Sequence, residues 1–222
     1  MKTFTYFKMR LYHIAETIRF NGVAYFLREI VYRNREAILV EKDLSTVGSP
    51  DDALHQANVR IEEITRPAIA SHTLQFPIKN RFLKAMHYLD KGYGGFALVS
   101  GNEVVGDIWY AAAPTSQDGT LPPDVKWLGI QCDDNYAYTF DMYLNPVKRG
   151  GALASLLQIG SLHELKKKGF HRAFGYFWSN NIPALWVHRM LKWSERAKIK
   201  VTRFFFIKFV TPSQLSDSPD ER

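Results

Sequence analysis

The chain has 222 residues, 46% of them hydrophobic and 23% charged, which suits one large domain with a core of its own. Its single cysteine, Cys132, excludes an intramolecular disulfide, and with no Cys/His cluster beside it neither a structural zinc site nor any other metal is expected. The net charge of +7 is concentrated between Lys148 and Lys208, where thirteen Lys/Arg face two acids. That balance predicts an anionic partner for this half, for which nucleic acid, a membrane and a phosphorylated cofactor all qualify.

The first twenty residues are interrupted by Lys8, Arg10, Glu16 and Arg19, so no signal-peptide core is expected there. No later stretch is long and apolar enough to span a bilayer, and a cytoplasmic protein is expected. Residues 9–33 read as helical, with one apolar stripe at Leu11, Ile14, Ala15 and Ile18 and a second at Val23, Phe26, Leu27 and Ile30. Asn21-Gly22 breaks the run. Residues 37–40 (AILV) read as a strand that extends the sheet, and residues 45–52 as a linker. Residues 59–65 (VRIEEIT) alternate like a half-buried strand. Residues 78–91 predict a helix with Phe82, Leu83, Met86 and Leu89 on one side. A hairpin of 96–99 and 104–111 turns at Gly101-Asn102. Residues 114–123 are a Pro/Gly loop, 127–130 a short strand and 137–144 a stronger one.

A helix follows over roughly 151–168. Lys166, Lys167 and Lys168 sit in its last turn, where the helix dipole favours cations, and Gly169 stops it. Residues 172–178 read as a strand, 182–193 as a helix in which Leu185 and Trp186 suit packing, and 198–209 as one long strand or two. The tail from Thr211 is rich in Ser, Asp and Pro and reads as disordered. The fold class is α/β, a mixed sheet flanked by helices. The expected domains are a helical extension with a strand over 1–45, packed on a main domain of 46–210, and a tail of 211–222.

The most informative segment runs from Asp141 to Leu157. It is a strand, a turn at Pro146, the basic pair Lys148-Arg149, small residues, then an apolar helix. This is an anion cradle. Gly150, Gly151, Ala152 and Ala154 let the backbone approach a ligand, first-turn N–H groups lack intrahelical partners, and Arg149 clamps phosphate oxygens. The spacing matches neither a P-loop nor a dinucleotide fingerprint.

Here the sequence resembles the GNAT superfamily of N-acetyltransferases, over about residues 61–209. The family's pyrophosphate loop, Arg/Gln-x-x-Gly-x-Gly/Ala after a strand, is matched by Leu144-Asn145-Pro146 and then Arg149-Gly150-Gly151-Ala152-Leu153-Ala154, with Ala152 where Gly is usual. The family's Asn-x-x-Ala is matched at Asn181-Ile182-Pro183-Ala184. The position of its usual Tyr holds His188, and its closing Gly-Phe is Lys192-Trp193. The resemblance implies a mixed, mostly antiparallel sheet and direct transfer of an acetyl group from acetyl-CoA to an amine.

It also implies roles. Met142, Tyr143 and Leu144 lie on the strand that splays from its neighbour, pairs with pantetheine and supplies oxyanion N–H donors. Arg149, Gly150, Gly151, Ala152, Leu153 and Ala154 hold the diphosphate, and Asn181 contacts the pantetheine or pyrophosphate region. His188 is the candidate acid for the thiolate, weighed against a core-edge histidine without a catalytic role. Asp141 is the candidate base, with Asp133 and Asp134 behind it. On a regular strand Asp141 shares a face with Thr139 and Tyr143, opposite Phe140, Met142 and Leu144. Residues 116–145 hold five Asp against Lys126 alone, which suits a cationic acceptor, a small molecule or a peptide. Two rivals stand beside the enzyme: a CoA-binding pseudo-enzyme, and a basic module for membrane or nucleic acid. Residues 1–45 are only +3, so weak peripheral membrane contact is the most the N-terminal segment predicts, and no nucleic-acid-binding signature is visible.

Overall fold

Runs of β-branched and aromatic residues become strands, and eight of them join one sheet. The computed structural model describes residues 32–112, 135–148, 152–204 and 207–213, with scattered positions between 11 and 25 and Pro122, Val125 and Leu128. The strands are β1 (Tyr32–Asp43), β2 (Arg60–Glu63), β3 (Gly94–Ser100), β4 (Glu103–Ala112), β5 (Tyr136–Leu144), β6 (Arg172–Trp178), β7 (Ser194–Phe204) and β8 (Ile207–Ser213). Among the described residues the helices of five residues or more are α1 (Asp51–Gln56), α2 (Arg66–Ala70), α3 (Lys79–Asp90), α4 (Leu153–Lys167) and α5 (Ile182–Met190). The sheet order is β2-β3-β4-β5-β6-β1-β7-β8. Only β5 and β6 pair in parallel; the other neighbours are antiparallel. No helix among the described residues is long and apolar enough to cross a membrane.

The sheet is covered on both faces. On one, Leu156, Leu157, Leu162 and Leu165 of α4 pack on Phe96, Leu98, Val105 and Ile108, and Leu185 of α5 joins from the side. Gly160 permits the close approach, since a Cβ there would stand 2.4 Å from the Ile61 side chain. Gly169, at φ +87°, terminates α4 in the left-handed conformation that glycine adopts without strain. On the other face Ala85 and Tyr88 of α3 pack on Ala97, Val99 and Trp109.

Several expected elements are revised. The strand expected to extend the sheet lies inside it: β1 pairs with β6 on one side and β7 on the other, with Ala37 and Val40 fully buried. Its Glu41, 7% exposed, joins the two neighbours, accepting from Arg172 of β6 at 2.6 Å and Arg196 of β7 at 2.7 Å. Residues 32–43 are therefore integral to the sheet. Tyr32 and Arg33, expected at a helix end, already belong to β1, and Thr211–Ser213, expected in the tail, complete β8. Residues 45–52 hold a 3-10 turn (Leu44–Thr46) and the start of α1 rather than an open linker. Leu128, in the expected strand 127–130, is helical, and the rest of that stretch lies outside the described residues.

Candidate functional site at a fork in the sheet

The parallel pairing of β5 and β6 covers three residue pairs, Tyr136↔Arg172, Ala137↔Ala173 and Tyr138↔Phe174. Beyond them β5 runs on to Leu144 and β6 to Trp178 with no further ladder between them, so the sheet forks. Side-chain chemistry sets the branch point. The Thr139 hydroxyl donates to the Phe174 carbonyl at 2.8 Å, beside the last pair of the ladder. Gly175 accommodates it, since a Cβ there would lie 2.9 Å from that hydroxyl and 3.2 Å from the Thr139 carbonyl.

At the open end of the fork, the chain turns at Pro146–Lys148 and enters α4. Buried Asn145 pins the turn: its N–H donates to Val105 O at 2.9 Å, its carbonyl accepts from Lys148 N–H at 2.9 Å, and its side-chain oxygen accepts from Val147 N–H at 3.2 Å. Arg149, Gly150 and Gly151 lie outside the described residues. Ala152 has φ −91° and ψ 6°, a backbone state open to any L-residue, so alanine in place of glycine carries no strain. Its carbonyl takes the first helical bond, from Leu156 N–H at 2.8 Å. The N–H groups of Leu153, Ala154 and Ser155 therefore lack intrahelical acceptors. Because β5 and β6 are parallel, α4 and α5 begin at the same end of the sheet, on the two arms of the fork.

Strand β5 is not regular. Two of its residues, Asp141 and Met142, face one of β4, Ile108, as the register passes from Trp109↔Phe140 to Asp107↔Tyr143. This is a bulge, with Asp141 in the left-handed region at φ +47°. The extra residue changes the faces expected from simple alternation. Phe140 and Asp141 both point to the α3 side, where each meets Tyr88, while Met142 and Leu144 join the α4-side core with Ala137. Thr139 lies on the side of Ala137 by alternation, so Asp141 does not share its face.

The Asp141 carboxylate is held by three donors from α3: Arg81 at 3.1 and 3.2 Å, Lys84 at 3.1 Å and the Tyr88 hydroxyl at 2.8 Å. Arg81 also donates to the Asp141 carbonyl at 3.3 Å, pairs with Asp107 of β4, and lies over the Tyr143 ring at 4.7 Å. Trp109 donates its indole N–H to Asp107 at 2.9 Å. Burial works against the Asp141 charge, but Arg81 and Lys84 outweigh it and hold the carboxyl down at about 2. Burial likewise opposes the Arg81 charge, and Asp107 and Asp141 keep it ionised. Burial raises the Asp107 carboxyl, against the pull of Arg81, and raises the Tyr88 hydroxyl. A carboxylate this acidic and this fully engaged is a weak proton acceptor. In this arrangement the Asp141 carboxylate ties the bulge of β5 to α3.

His188 lies on the other face. Its ring stacks on Phe177 at 4.7 Å and packs against Trp193 at 5.0 Å. Its Nδ1–H donates to the Ala184 carbonyl at 2.7 Å, which fixes the neutral tautomer. Nε2 is then an acceptor, 3.1 Å from the Gln158 side-chain amide nitrogen on α4, and burial lowers the imidazole's affinity for a proton. His188 is thus engaged at both ring nitrogens, by the Ala184 carbonyl and the Gln158 side-chain amide. Asn181 caps α5, its side-chain oxygen accepting from Ala184 N–H at 3.3 Å. Trp186, expected to pack, is 68% exposed.

The fold thus brings Met142, Leu144, Leu153, Ala154 and Asn181 to the two arms of one fork, and sets Asp141 and His188 on opposite faces. Three residues of the site were missed. Arg81 was hidden by an apolar reading of α3; its signal was Asp107, an acid inside an otherwise apolar strand, which demands a buried cation. Thr139 and Gln158 had no signal, because their partners are 35 and 30 residues away. Asp118, Asp124, Asp133 and Asp134 lie outside the described residues. No group of three metal-ligating side chains occurs among the described residues.

No family model and no curated protein matches the sequence. Solved structures match the fold. A GCN5-related glucosamine N-acetyltransferase region of a fungal multi-domain GH3 β-N-acetylglucosaminidase aligns at TM-score 0.54 and 12% identity, over 82% of this chain and 22% of that one. A functionally unknown conserved protein of Staphylococcus epidermidis aligns at 0.52 and 6%, over 84% and 68%. A GCN5-related N-acetyltransferase-like protein of Streptococcus suis aligns at 0.50 and 10%, over 83% and 68%. The chain spans under two thirds of some of the structures it matches, 58% of a Drosophila protein among them. With its forked, mostly antiparallel sheet and its helices on both faces, the chain has the fold of the GNAT superfamily.

Proposed function

We infer that the chain is an acyltransferase that moves an acetyl group from acetyl-CoA to an amine by direct transfer. The observation that carries this reading is the fork: two parallel strands part at Thr139, and the amino end of α4 follows the longer arm. The residues fit the ligand. An unstrained Ala152 and the first-turn N–H groups of α4 suit a diphosphate, joined by Arg149, Gly150 and Gly151 of the intervening loop. The stretch of β5 from Met142 to Leu144, past its ladder with β6, suits an extended arm with amides of its own, and Asn181 adds a contact from α5. Acetyl-CoA supplies the acetyl group as an activated thioester. The chain's part is to bind it, to present backbone N–H donors from the bulged strand to the carbonyl, and to orient the amine. Asp133 and Asp134 are the carboxylates left to accept a proton from that amine, with solvent as the alternative.

Arg149→Ala should raise the CoA dissociation constant ~10-fold or more through loss of charge-assisted hydrogen bonds. Calorimetry with CoA measures it, and unchanged affinity in a folded variant removes Arg149 from the site. Thiol release from acetyl-CoA across a panel of small amines, aminosugars and peptides tests the reaction itself. One observation favours a second reading, CoA binding without turnover: the carboxylate of Asp141 and the imidazole of His188 are both engaged by the protein. Tight CoA binding with no thiol release on any amine selects it.

A further inference from the structure

Helix α5 carries an apolar stripe that the fold leaves uncovered. Ile182, Trp186 and Met190 recur every four residues and so share one helix face. They are 52%, 68% and 60% exposed. The helix already packs through its other side, where Ala184, Leu185 and the His188 ring meet the core, and Leu191 follows just past its end. The stripe is therefore surplus to what holds α5 in place. The helix and the strand after it are basic: from Ile182 to Lys200 there are five Lys/Arg and one acid, Glu195, with Arg189 paired to Glu195 and Arg196 to Glu41. Arg189 and Lys192 sit at the end of the stripe and are exposed. At the same end of the sheet as Ile182, the turn after β5 adds Val147, 80% exposed, beside Lys148.

Three occupants are conceivable for such a face, and charge and area separate them. A second copy would bring two basic halves together, each with the thirteen Lys/Arg against two acids of residues 148–208. Three side chains, at most about 150–250 Å² for the largest, also fall short of the ~800 Å² per partner that a stable dimer buries. A nucleic acid would meet the cations but gain little from Ile182 and Met190. An anionic bilayer meets both needs. Indole sits at the boundary of headgroups and hydrocarbon, Ile and Met enter the acyl layer, and Lys/Arg at the margin meet lipid phosphates.

We propose that this face of α5 docks the protein on an anionic lipid surface. The contact is peripheral, reversible and salt-sensitive, because one helical stripe supplies the apolar part and exposed cations the rest. It carries the open end of the β5–β6 fork, flanked by Val147 and Ile182, toward the bilayer.

The test is sedimentation of the full chain with vesicles of phosphatidylcholine alone and with 30% phosphatidylglycerol, at low and high salt. The wild type should bind the anionic vesicles ~10-fold or more tightly than the neutral ones, and release them at high salt. A triple variant, Ile182→Ser, Trp186→Ser and Met190→Ser, alters exposed side chains only, and circular dichroism checks its fold. It should lose ~10-fold or more of the partition, and Arg189→Gln with Lys192→Gln should weaken binding and flatten its salt dependence. The proposal is overturned if anionic vesicles bring down no protein at low salt. Equal partition of the triple variant and the wild type also overturns it. So does a wild-type dimer in light scattering that the triple variant converts to a monomer while vesicle binding is absent.

Discussion

Asp141 is a strand carboxylate that three side chains of α3 engage. A strand carboxylate near an anion loop is a natural base, yet its position in a bulge at φ +47° has a local cost that Asp tolerates better than most side chains. Asp141→Gly and Asp141→Asn should therefore retain more stability than Asp141→Val, by about 1–2 kcal/mol in denaturant titration, because valine is strained at that backbone angle. Acid titration gives a second check. The folded carboxyl titrates at about 2, below its ordinary 3.8, so its stabilisation is complete above pH 4 and lost as pH falls toward 2. The stability gap between wild type and Asp141→Asn, about 2 kcal/mol near neutrality, should close over that window. Asp107 responds in the opposite sense because burial raises it, and the Asp141 charge adds to that rise, so the Asp141→Asn curve also carries a change at Asp107.

At the scale of elements, the forked pair and the two helices beside it are held by few, specific contacts. Gly175→Val should destabilise the protein by about 1–3 kcal/mol, since its side chain would collide with Thr139 at the branch point. Across the α4–α5 contact, His188→Phe keeps the stacking on Phe177 and Trp193 but leaves the Gln158 amide nitrogen without its acceptor. The expected loss is about 1–3 kcal/mol, partly recovered in the double variant with Gln158→Leu, which removes the orphaned amide but not the loss of the side-chain donor to the Ala184 carbonyl. A thermal-melt double-mutant cycle measures the coupling. Helix α3 is the element where patterning misled. Phe82, Leu83, Met86 and Leu89 predicted the buried side, but Phe82 is 36% exposed and Arg81 is 4% exposed. Two carboxylates on neighbouring strands compensate the buried guanidinium, and that long-range pairing outweighs the local apolar pattern.

At the scale of the whole molecule, β1 joins the ends of the chain into one sheet. It separates β6 from the β7–β8 hairpin and satisfies ladder bonds on both sides. A chain starting at residue 46 should therefore fail to fold, shown by loss of the cooperative thermal transition and of dispersed amide resonances, since β6 and β7 would each expose an unpaired edge. A stable truncated protein would mean that the hairpin closes directly on β6. Glu41, bonded to both neighbours of β1, should be costlier to replace than an exposed ion pair, because Glu41 is buried and serves two arginines.

The elements nearest the fork were legible because their signals are local. The strand at 172–178 reads directly from its apolar run, the helix over 153–167 from its leucine spacing, its lysine-rich last turn and Gly169. The order strand, turn, basic pair, small residues, helix is likewise a property of consecutive residues, and with it came the anion-cradle reading. What the linear pattern left open depends on partners far apart in the chain. The position of β1 inside the sheet, the bulge that turns Asp141 toward α3, and the burial of Arg81 each arise from pairings between segments dozens of residues apart. A strand carries the same alternation whether it lies at an edge or in the middle, and an arginine or aspartate reads the same in sequence whether water or a buried counter-ion satisfies it. Only tertiary packing distinguishes those cases, because only packing decides which charges leave water together.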